Sequence, residues 1–233
     1  MITDEFAQHL LATFNDPGAN GVHLLFNQWW QHAPDDVKDA YVDAFVGDPA
    51  YGPFLAERFY AEPLDLVEMG ALAAGTLGRT YHDWIVNNGL TAQIATNYRQ
   101  FHETLESAGM LDGMPEPMRY AVLRGFQTHD FQHVVTGYDS SGHGEIALQA
   151  FCLAQLQFPY FGMWMSVVTT RMTFIQPQII TATMDAVTDG WQLGRTTRSL
   201  VCEKWESMLA DDLAAVRAQY GLAERHQQLL AAS

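Results

Sequence analysis

The sequence predicts an all-α protein, and three observations lead to this prediction. Apolar residues recur at helical spacing along most of the chain. Alternating apolar and polar runs bounded by hairpin turns, which would indicate β-strands, are not found in the sequence. Short stretches rich in Gly, Pro, Asn and Asp separate the helical segments. No linker, repeat or low-complexity tract divides the chain, so we expect one multi-helix domain over residues 1–233.

Two helices are predicted in the first half of the chain. Residues 63–87 form a long helix in this prediction, ended by the Asn-Asn-Gly stop at residues 87–89. Its middle, residues 70–75, is rich in small side chains, which indicates close approach of a neighbouring helix. The next helix is predicted over residues 91–108 and ends near Gly109.

Two further helices are predicted around a glycine-rich loop. Residues 115–136 begin with proline, which favours a helix N-terminus, and end at Gly137. The following helix begins at residue 143 or 144 and runs towards residues 158–159. The loop between the two helices is short, so their adjoining ends should lie close together.

A last helix is predicted over residues 196–220, with Gly221 as its end. Its apolar residues keep to one stripe, as expected for a helix that packs one face on a core. These residues are Leu200, Val201, Trp205, Met208, Leu209, Leu213 and Val216.

Composition and charge exclude several classes of protein. Hydrophobic residues make up 48% of the chain, which excludes a disordered or fibrous protein. The net charge is −15, so we expect no nucleic acid partner, because phosphate binding needs a basic surface. The two cysteines are too few for a disulfide framework and are interpreted as reduced core thiols.

The beginning of the chain and its most apolar stretch both favour a cytoplasmic protein. The first five residues are acidic and resemble neither a signal peptide nor a basic leader. Residues 158–168 are the most apolar, but they reach only about half the length of a membrane span. We therefore expect a soluble or peripheral protein in the cytoplasm.

The most informative pattern is His129-Asp130-x-x-His133, followed after eleven residues by Glu145. Histidines four apart lie on one face of a helix, so both imidazoles can reach one cation. A carboxylate from the next helix would complete a donor set that suits a divalent transition metal. The pattern predicts a metal site between two consecutive antiparallel helices. The alternative is an amphipathic helix whose histidines pack in the core or face water.

Three nearby side chains have roles that the sequence leaves open. Asp130 points about a quarter-turn away from His129, so it either ligates from the side or orients an imidazole or a bound water. His143 is an extra ligand, a proton shuttle or a residue without a role. Cys152 lies on the helical face of Glu145 and either adds a ligand or packs in the core.

The chain resembles the coenzyme Q biosynthesis protein 4 family, helical peripheral proteins of ubiquinone synthesis. The His-Asp-x-x-His motif with Glu145 matches the metal motif of this family. Further similar blocks are residues 75–81, 88–90, 144–155, 191–195, 204–206 and 212–213. The resemblance covers about residues 60–222. The chain departs from the mitochondrial members in lacking a leader, so we expect a bacterial-type member.

The resemblance implies a function in ubiquinone biosynthesis. Family members are linked to zinc and to replacing the ring carboxylate of a polyprenylated 4-hydroxybenzoate by a hydroxyl at ring carbon 1, an oxidative decarboxylation. By motif match the metal ligands are His129, Asp130, His133 and Glu145, and Asp130 and Glu145 are the candidate catalytic carboxylates. Zinc has no redox step of its own, so iron or another redox metal is the alternative if the protein performs the oxidation itself.

A polyprenylated substrate also needs a long apolar cleft. Candidate lipid-binding residues are Phe158, Phe161, Met163 and Trp164, which follow Glu145 closely in the chain. They line such a cleft, contact the bilayer surface or belong to an ordinary core.

The expected partners also follow from the resemblance. They are the prenylated benzoate or quinone intermediate, other ubiquinone biosynthesis proteins and a second copy of the chain. We expect transient peripheral contact with the inner face of the membrane. The alternative function is a non-catalytic scaffold that binds polyprenyl lipid and organises the biosynthetic enzymes.

Overall fold

The computed structural model describes residues 3–94 and 97–232, and these residues contain helices but no β-strand. The N-terminal helices are α1 (Asp4–Asn15), α2 (Pro17–Asn20), α3 (Val22–His32), α4 (Asp35–Gly47) and α5 (Gly52–Glu57). The central helices are α6 (Leu66–Gly70), α7 (Leu77–Asn87), α8 (Thr91–Ile94), α9 (Tyr98–Ser107), α10 (Glu116–Thr136) and α11 (Gly142–Leu156). The C-terminal helices are α12 (Pro159–Phe174), α13 (Ile180–Thr196), α14 (Leu213–Gln219) and α15 (Ala223–Ala232), with short 3₁₀ helices at Pro177–Ile179 and Trp205–Met208. The all-α prediction is confirmed. That residues 1–233 form a single domain stays a prediction.

Two core clusters hold these helices together. The first core cluster joins α7, α10 and α11 to the C-terminal segment, and its members include Leu77, Tyr81, Ile85, Phe131, Val135, Leu148, Phe151, Trp205, Val216 and Tyr220. The second core cluster joins the N-terminal helices to α10 and to the start of α12, and it consists of Phe26, Trp30, Phe45, Tyr51, Leu55, Leu111, Met114, Met118, Tyr120 and Phe158. Helix α10 contributes to both clusters, so the histidine pair lies on an element that is fixed from two sides.

The predicted helix over residues 63–87 is wrong in its middle, because it consists of α6 and α7 with a turn between them. Gly75 has a φ of +86°, a left-handed conformation that a continuous right-handed helix does not contain. The Thr76 side chain then accepts a hydrogen bond from the Arg79 N–H (3.3 Å) and starts α7 as its N-cap. The small residues at this point permit a turn and a new helix start.

The predicted helix over residues 91–108 also differs from the structure. Residues 95 and 96 of that prediction lie outside the described residues. Asn97 has an extended backbone, and its side chain accepts a hydrogen bond from the Gln100 N–H (3.0 Å). Asn97 is therefore the N-cap of a separate helix, α9.

The predicted helix over residues 196–220 is wrong. Thr197 leaves α13 with an extended backbone, and regular α-helix resumes only at Leu213. The carbonyls of Asp211 and Leu209 accept hydrogen bonds from the Leu77 and Gly78 N–H groups, both at 2.8 Å. The first N–H groups of a helix have no partner within it, and here the 209–211 segment supplies their partners to α7. The predicted apolar stripe is still largely buried, because an irregular backbone also directs it into the core.

The two helices on either side of the glycine-rich loop are confirmed as α10 and α11. Helix α11 in turn packs closely on α13. A Cβ added at Gly190 would lie 2.0 Å from the Ala147 carbonyl oxygen, and one at Gly194 would lie 2.5 Å from that of Phe151. The two backbones are therefore almost in contact along one face, and this contact fixes the position of α11.

Among the described helices, none is both long and apolar enough to cross a membrane.

Candidate metal centre

The structure brings together three of the four predicted ligands, His129, His133 and Glu145. The two imidazole Nε2 atoms lie 3.2 Å apart. The Glu145 carboxylate spans both rings, with Oε1 3.2 Å from His133 Nε2 and Oε2 3.4 Å from His129 Nε2. One ligand atom from each residue therefore lies within 4.8 Å of the others.

These separations fit a first-row divalent metal. Ligand atoms about 2.1 Å from a metal are about 3.4 Å apart in tetrahedral and about 3.0 Å apart in octahedral geometry. The distance between the two imidazole nitrogens and the distance from each ring to its nearer carboxylate oxygen, 3.2 to 3.4 Å, lie within this range. Three protein ligands leave at least one position open, as in catalytic metal sites. The donor set identifies no single metal, since imidazole and carboxylate suit zinc, iron and other divalent ions.

The orientation of His133 is fixed by its surroundings. Its Nδ1–H donates a hydrogen bond to the Tyr138 carbonyl (3.0 Å), which can only accept. In the neutral imidazole the Nε2 lone pair then faces the cluster, the arrangement typical of metal-binding histidines. Trp84 of α7 stacks on the ring with centroids 5.2 Å apart and an angle of 21° between the planes. His133 itself is almost completely buried.

The end of α10 that carries His133 is held by two arginines. Arg217 donates hydrogen bonds to the carbonyls of Val134 (2.8 Å) and Val135 (2.9 Å), and Arg225 donates to that of Thr136 (3.1 Å). These carbonyls belong to the last turn of the helix, where intrahelical partners are missing. Cationic side chains also suit the negative end of the helix dipole.

The Tyr138 side chain fixes the loop after α10. Its hydroxyl donates to Asp189 Oδ2 of α13 (2.7 Å), and Arg225 lies 3.4 Å from the same carboxylate oxygen. The Arg225 guanidinium also lies over the Tyr138 ring, 4.9 Å from its centroid. Helices α13 and α15 thus hold the residue whose carbonyl orients His133.

Helix α11 begins where Glu145 is needed. Ser141 is the N-cap, and its hydroxyl accepts a hydrogen bond from the Gly144 N–H (3.2 Å). Glu145 therefore lies in the first turn, where the helix dipole favours a negative charge. A Cβ on Gly144 would lie 2.1 Å from the Asp139 carbonyl oxygen, so the loop requires glycine at this position.

The charges of the cluster are coupled. Burial alone would raise the pKa of Glu145, but hydrogen bonds from His129 and His133, together with their charges, lower it below its ordinary value. Burial would likewise lower the pKa of His129, but its hydrogen bond to Glu145 and the charge of that carboxylate raise it. Glu145 is therefore an ionised oxygen donor at neutral pH.

Asp130 lies on an adjacent face of α10, outside the group of three. It lines a small separate cavity with Tyr81, Tyr98 and Glu206. Burial and the Glu145 charge raise the pKa of Asp130, although the charges of His129 and His133 act in the opposite direction. The carboxylate is thus within electrostatic reach of the cluster, and its assignment as a ligand stays a prediction.

A cavity of about 200 Å³ adjoins the cluster, and His129 and Glu145 form part of its lining. Most of the remaining lining is aromatic or aliphatic and includes Phe26, Phe45, Leu105, Val122, Leu111 and Leu156. Three of the candidate lipid-binding residues, Phe158, Phe161 and Trp164, also line it. The fourth, Met163, packs instead against the second core cluster. His129 and Glu145 thus form a polar end of a cavity whose lining is otherwise mostly apolar.

Cys152 lines this cavity as well, but its environment is that of a core thiol. The thiol donates to Gln132 Oε1 (3.1 Å), and burial raises its pKa. This agrees with the interpretation of Cys152 as a reduced packing residue.

Sequence reasoning missed several residues that position the cluster. Tyr138 acts through a loop carbonyl, and Arg217 and Arg225 reach α10 from distant helices, so no local pattern indicates them. Gln149, which also lines the cavity, could have been found, because it lies four residues after Glu145 on the same face of α11.

A family model described as coenzyme Q (ubiquinone) biosynthesis protein Coq4 matches residues 56–226 of the chain. The chain belongs to the Coq4 family. The predicted resemblance over residues 60–222 is therefore confirmed, and its bounds agree closely with the match.

Curated Coq4 relatives are longer than this chain. The mitochondrial ubiquinone biosynthesis protein coq4 of Aspergillus flavus is 26% identical over 187 residues, which cover 77% of this chain and 59% of that protein. The corresponding Yarrowia lipolytica protein is 28% identical over 184 residues, which cover 77% of this chain and 64% of that protein. The chain thus spans about three fifths of the length of these relatives.

A solved structure shows that the fold itself extends over nearly the whole chain. The crystal structure of a Nostoc punctiforme protein named for ubiquinone biosynthesis has a TM-score of 0.73 and 24% identity to this chain. The match covers 93% of this chain and 94% of the Nostoc protein. The all-α fold shared with the Nostoc protein therefore includes the N-terminal helices, and a match in Nostoc agrees with a bacterial-type member.

Proposed function

We propose that the protein acts in ubiquinone biosynthesis as a metal-dependent enzyme on a polyprenylated 4-hydroxybenzoate, replacing the ring carboxylate by a hydroxyl at carbon 1. One observation carries the proposal: His129 and Glu145 belong both to the group that could hold a metal ion and to the lining of a largely apolar cavity. The proposed substrate likewise has an anionic carboxylate on its ring and an apolar tail, so its polar and apolar parts match those of the cavity. Membership of the Coq4 family supports the pathway.

The metal would be held by His129, His133 and Glu145. A bound divalent ion would supply Lewis-acid charge to the substrate carboxylate, and iron or another redox metal would also supply a route to dioxygen that zinc lacks. Two neutral imidazoles and one carboxylate leave a net charge of about +1 at such a site, which favours an anionic substrate group. The Tyr138 carbonyl keeps the His133 Nε2 free for this purpose.

The apolar lining would hold the ring and the start of the polyprenyl tail. Phe158, Phe161 and Trp164 form one wall of the cavity and exclude water from the ring. At about 200 Å³ the cavity is smaller than the few hundred Å³ of a typical ligand pocket, so a long tail must extend beyond it. Phe101, which lines the cavity and is 40% exposed, marks a route to the surface.

The proposed reaction balances with dioxygen and a two-electron reductant. The bond between carbon 1 and the carboxyl carbon breaks, and the carboxyl group leaves as CO₂. Carbon 1 gains one oxygen atom of dioxygen as a hydroxyl. The second oxygen atom is reduced to water by two electrons and two protons, which a reduced nicotinamide or flavin would supply.

Elemental analysis of the bound metal, followed by an assay for CO₂ release with the purified protein, tests the proposal. The protein is purified without added metal, analysed for elements and then given a carboxyl-labelled substrate, dioxygen and a two-electron reductant. Metal-dependent release of labelled CO₂ is the expected result. A folded, metal-loaded protein that binds the substrate but releases no CO₂ with zinc, iron, manganese or cobalt would overturn the enzyme and favour the polyprenyl-binding scaffold.

We expect Asp130→Asn to retain the metal. The Asp130 carboxylate lies outside the group of three ligands, so its loss removes an orienting charge and no donor atom. Elemental analysis of the purified variant measures the metal content per chain. A metal loss as large as that of a variant lacking Glu145 would make Asp130 a ligand.

We expect Gly125→Met to block the tail and spare the metal. Gly125 lines the cavity, and a Cβ there meets no atom within 4 Å, so a longer side chain enters the cavity without a clash at its root. Affinity for a long-chain substrate should fall about tenfold, corresponding to about 1.4 kcal/mol of lost contact.

Gly162→Met is the matched control for this variant. Gly162 is also a helical glycine without an atom within 4 Å, but it lies outside the lining of the cavity. Calorimetric titration with long-chain and short-chain hydroxybenzoates measures both variants. Equal affinities for wild type and Gly125→Met, with both folded, would exclude this cavity as the tail site.

The remaining partners belong to the same proposal. We expect the protein to meet other ubiquinone biosynthesis proteins, to form a homodimer and to contact the inner face of the membrane transiently, where a polyprenylated substrate resides. These partners stay predictions.

A further inference from the structure

We propose that Gln149 recognises the ring oxygen opposite the substrate carboxylate and thereby selects hydroxylated rings. This inference rests on the proposed function, because it assumes a benzoate bound at the metal cluster. Gln149 lies on α11, four residues after Glu145, and it lines the same cavity. The inference adds a specificity residue to a site that otherwise recognises only a carboxylate and a hydrophobic tail.

The position of Gln149 matches the length of the substrate ring. Residues four apart on a helix lie on one face and are separated by about 6 Å along the axis. This separation is close to the distance from the carboxylate of a 4-hydroxybenzoate to its para oxygen. Glu145, Gln149, Cys152 and Leu156 all line the cavity, so α11 presents a stripe that changes from charged through polar to apolar.

The Gln149 amide lacks a partner among the described residues. The residue is 5% exposed, and its Oε1 is buried without a hydrogen bond. A buried amide oxygen is expected to have a hydrogen-bond donor, since burying it without one is unfavourable. A phenolic O–H that enters the cavity would supply this donor.

A second glutamine in the same cavity shows the contrast. Gln132 is also buried, but its Oε1 accepts from the Cys152 thiol (3.1 Å), and its Nε2 donates to Thr128 Oγ1 (3.4 Å). The protein itself therefore satisfies Gln132, whereas Gln149 lines the cavity with a side chain whose buried amide oxygen has no donor among the described residues. Its position next to the cluster suits a polar ring substituent and not the isoprene units, which cannot hydrogen-bond.

The test compares two ligands on two proteins. Wild type and Gln149→Leu are loaded with zinc and titrated by calorimetry with 3-prenyl-4-hydroxybenzoate and with 3-prenylbenzoate, without dioxygen or a reductant so that no turnover occurs. Elemental analysis measures the zinc per chain, and thermal unfolding verifies the fold. Gln149→Met, with an unbranched side chain of similar length, replaces the leucine variant if that variant does not fold.

The expected result is a change in preference and not in metal content. Wild type should bind the hydroxylated ligand about tenfold more tightly than the ligand without the hydroxyl, the ratio expected for one good hydrogen bond. This ratio should fall to about one in the variant, with zinc content unchanged. A variant that keeps the wild-type ratio would overturn the role of Gln149 and leave the proposed function intact. Failure of wild type to bind either ligand would refute the proposed function and this inference with it.

Discussion

Glu145→Gln is expected to abolish metal binding and ubiquinone synthesis while leaving the protein folded. The substitution retains the size of the side chain and removes the negative charge that lies 3.2 to 3.4 Å from the two imidazoles. Metal affinity should fall by more than about 100-fold, since even residues that only support a ligand cost 10-fold to 100-fold. Elemental analysis and the ubiquinone content of cells that depend on this protein measure the two effects.

Glu68→Gln is the matched control for this variant. Glu68 also lies in the first turn of a helix, α6, and is exposed, so the control removes a comparable charge near a helix N-terminus. Its metal content and ubiquinone level should equal those of wild type. Normal ubiquinone in Glu145→Gln would contradict the catalytic proposal.

His133→Ala should also abolish ubiquinone synthesis in a soluble protein, but it is a less selective variant. His133 is fully buried, and its loss leaves a cavity beside Trp84 and removes the donor to the Tyr138 carbonyl. Thermal stability then falls for reasons unrelated to the metal. For Glu145→Gln, thermal stability distinguishes a catalytic metal from a purely structural one. Loss of a structural metal would lower the stability of the protein, because metal binding then contributes to folding.

The candidate site could largely be predicted because its geometry is local. Histidines four apart on one helix and a carboxylate in the first turn of the next helix are brought together by a short loop. The helix ends were also readable, since Gly137 has a φ of +79° and Ser141 caps α11. Long-range contacts from Arg217 and Arg225 then hold this local arrangement in place.

The long-range parts of the fold could not be predicted in the same way. Residues 196–220 carry an apolar stripe at helical spacing, but their carbonyls are needed by the N-terminus of α7, which lies far away in sequence. Similarly, small residues near Gly75 indicate either helix contact or a turn, and only the left-handed φ decides between them. In both cases a pattern of side chains was compatible with two backbones, and tertiary hydrogen bonds selected one.

Gly190→Ala is expected to be strongly destabilising, although it adds only one methyl group. The added Cβ would lie 2.0 Å from the Ala147 carbonyl oxygen and 2.8 Å from its carbonyl carbon. Both atoms belong to the backbone of α11, so no side-chain rotation relieves the clash, and α11 and α13 must separate. Overpacking of this kind costs about 3 kcal/mol, at the upper end of the usual range. The melting temperature should fall by about 6 to 12 °C for a chain of this size.

Gly162→Ala separates this steric effect from the general effect of replacing a helical glycine. No atom lies within 4 Å of a Cβ at Gly162, so alanine there should raise stability by about 0.5 to 1 kcal/mol through backbone entropy. Thermal unfolding measures both variants. Ala147 lies two residues after Glu145, so displacement of α11 in Gly190→Ala should also move the carboxylate away from the histidines and weaken metal binding. An unchanged melting temperature in Gly190→Ala would mean that the two helices do not pack backbone to backbone. A lower melting temperature with unchanged metal affinity would show that the position of the Glu145 carboxylate does not depend on the close contact between α11 and α13.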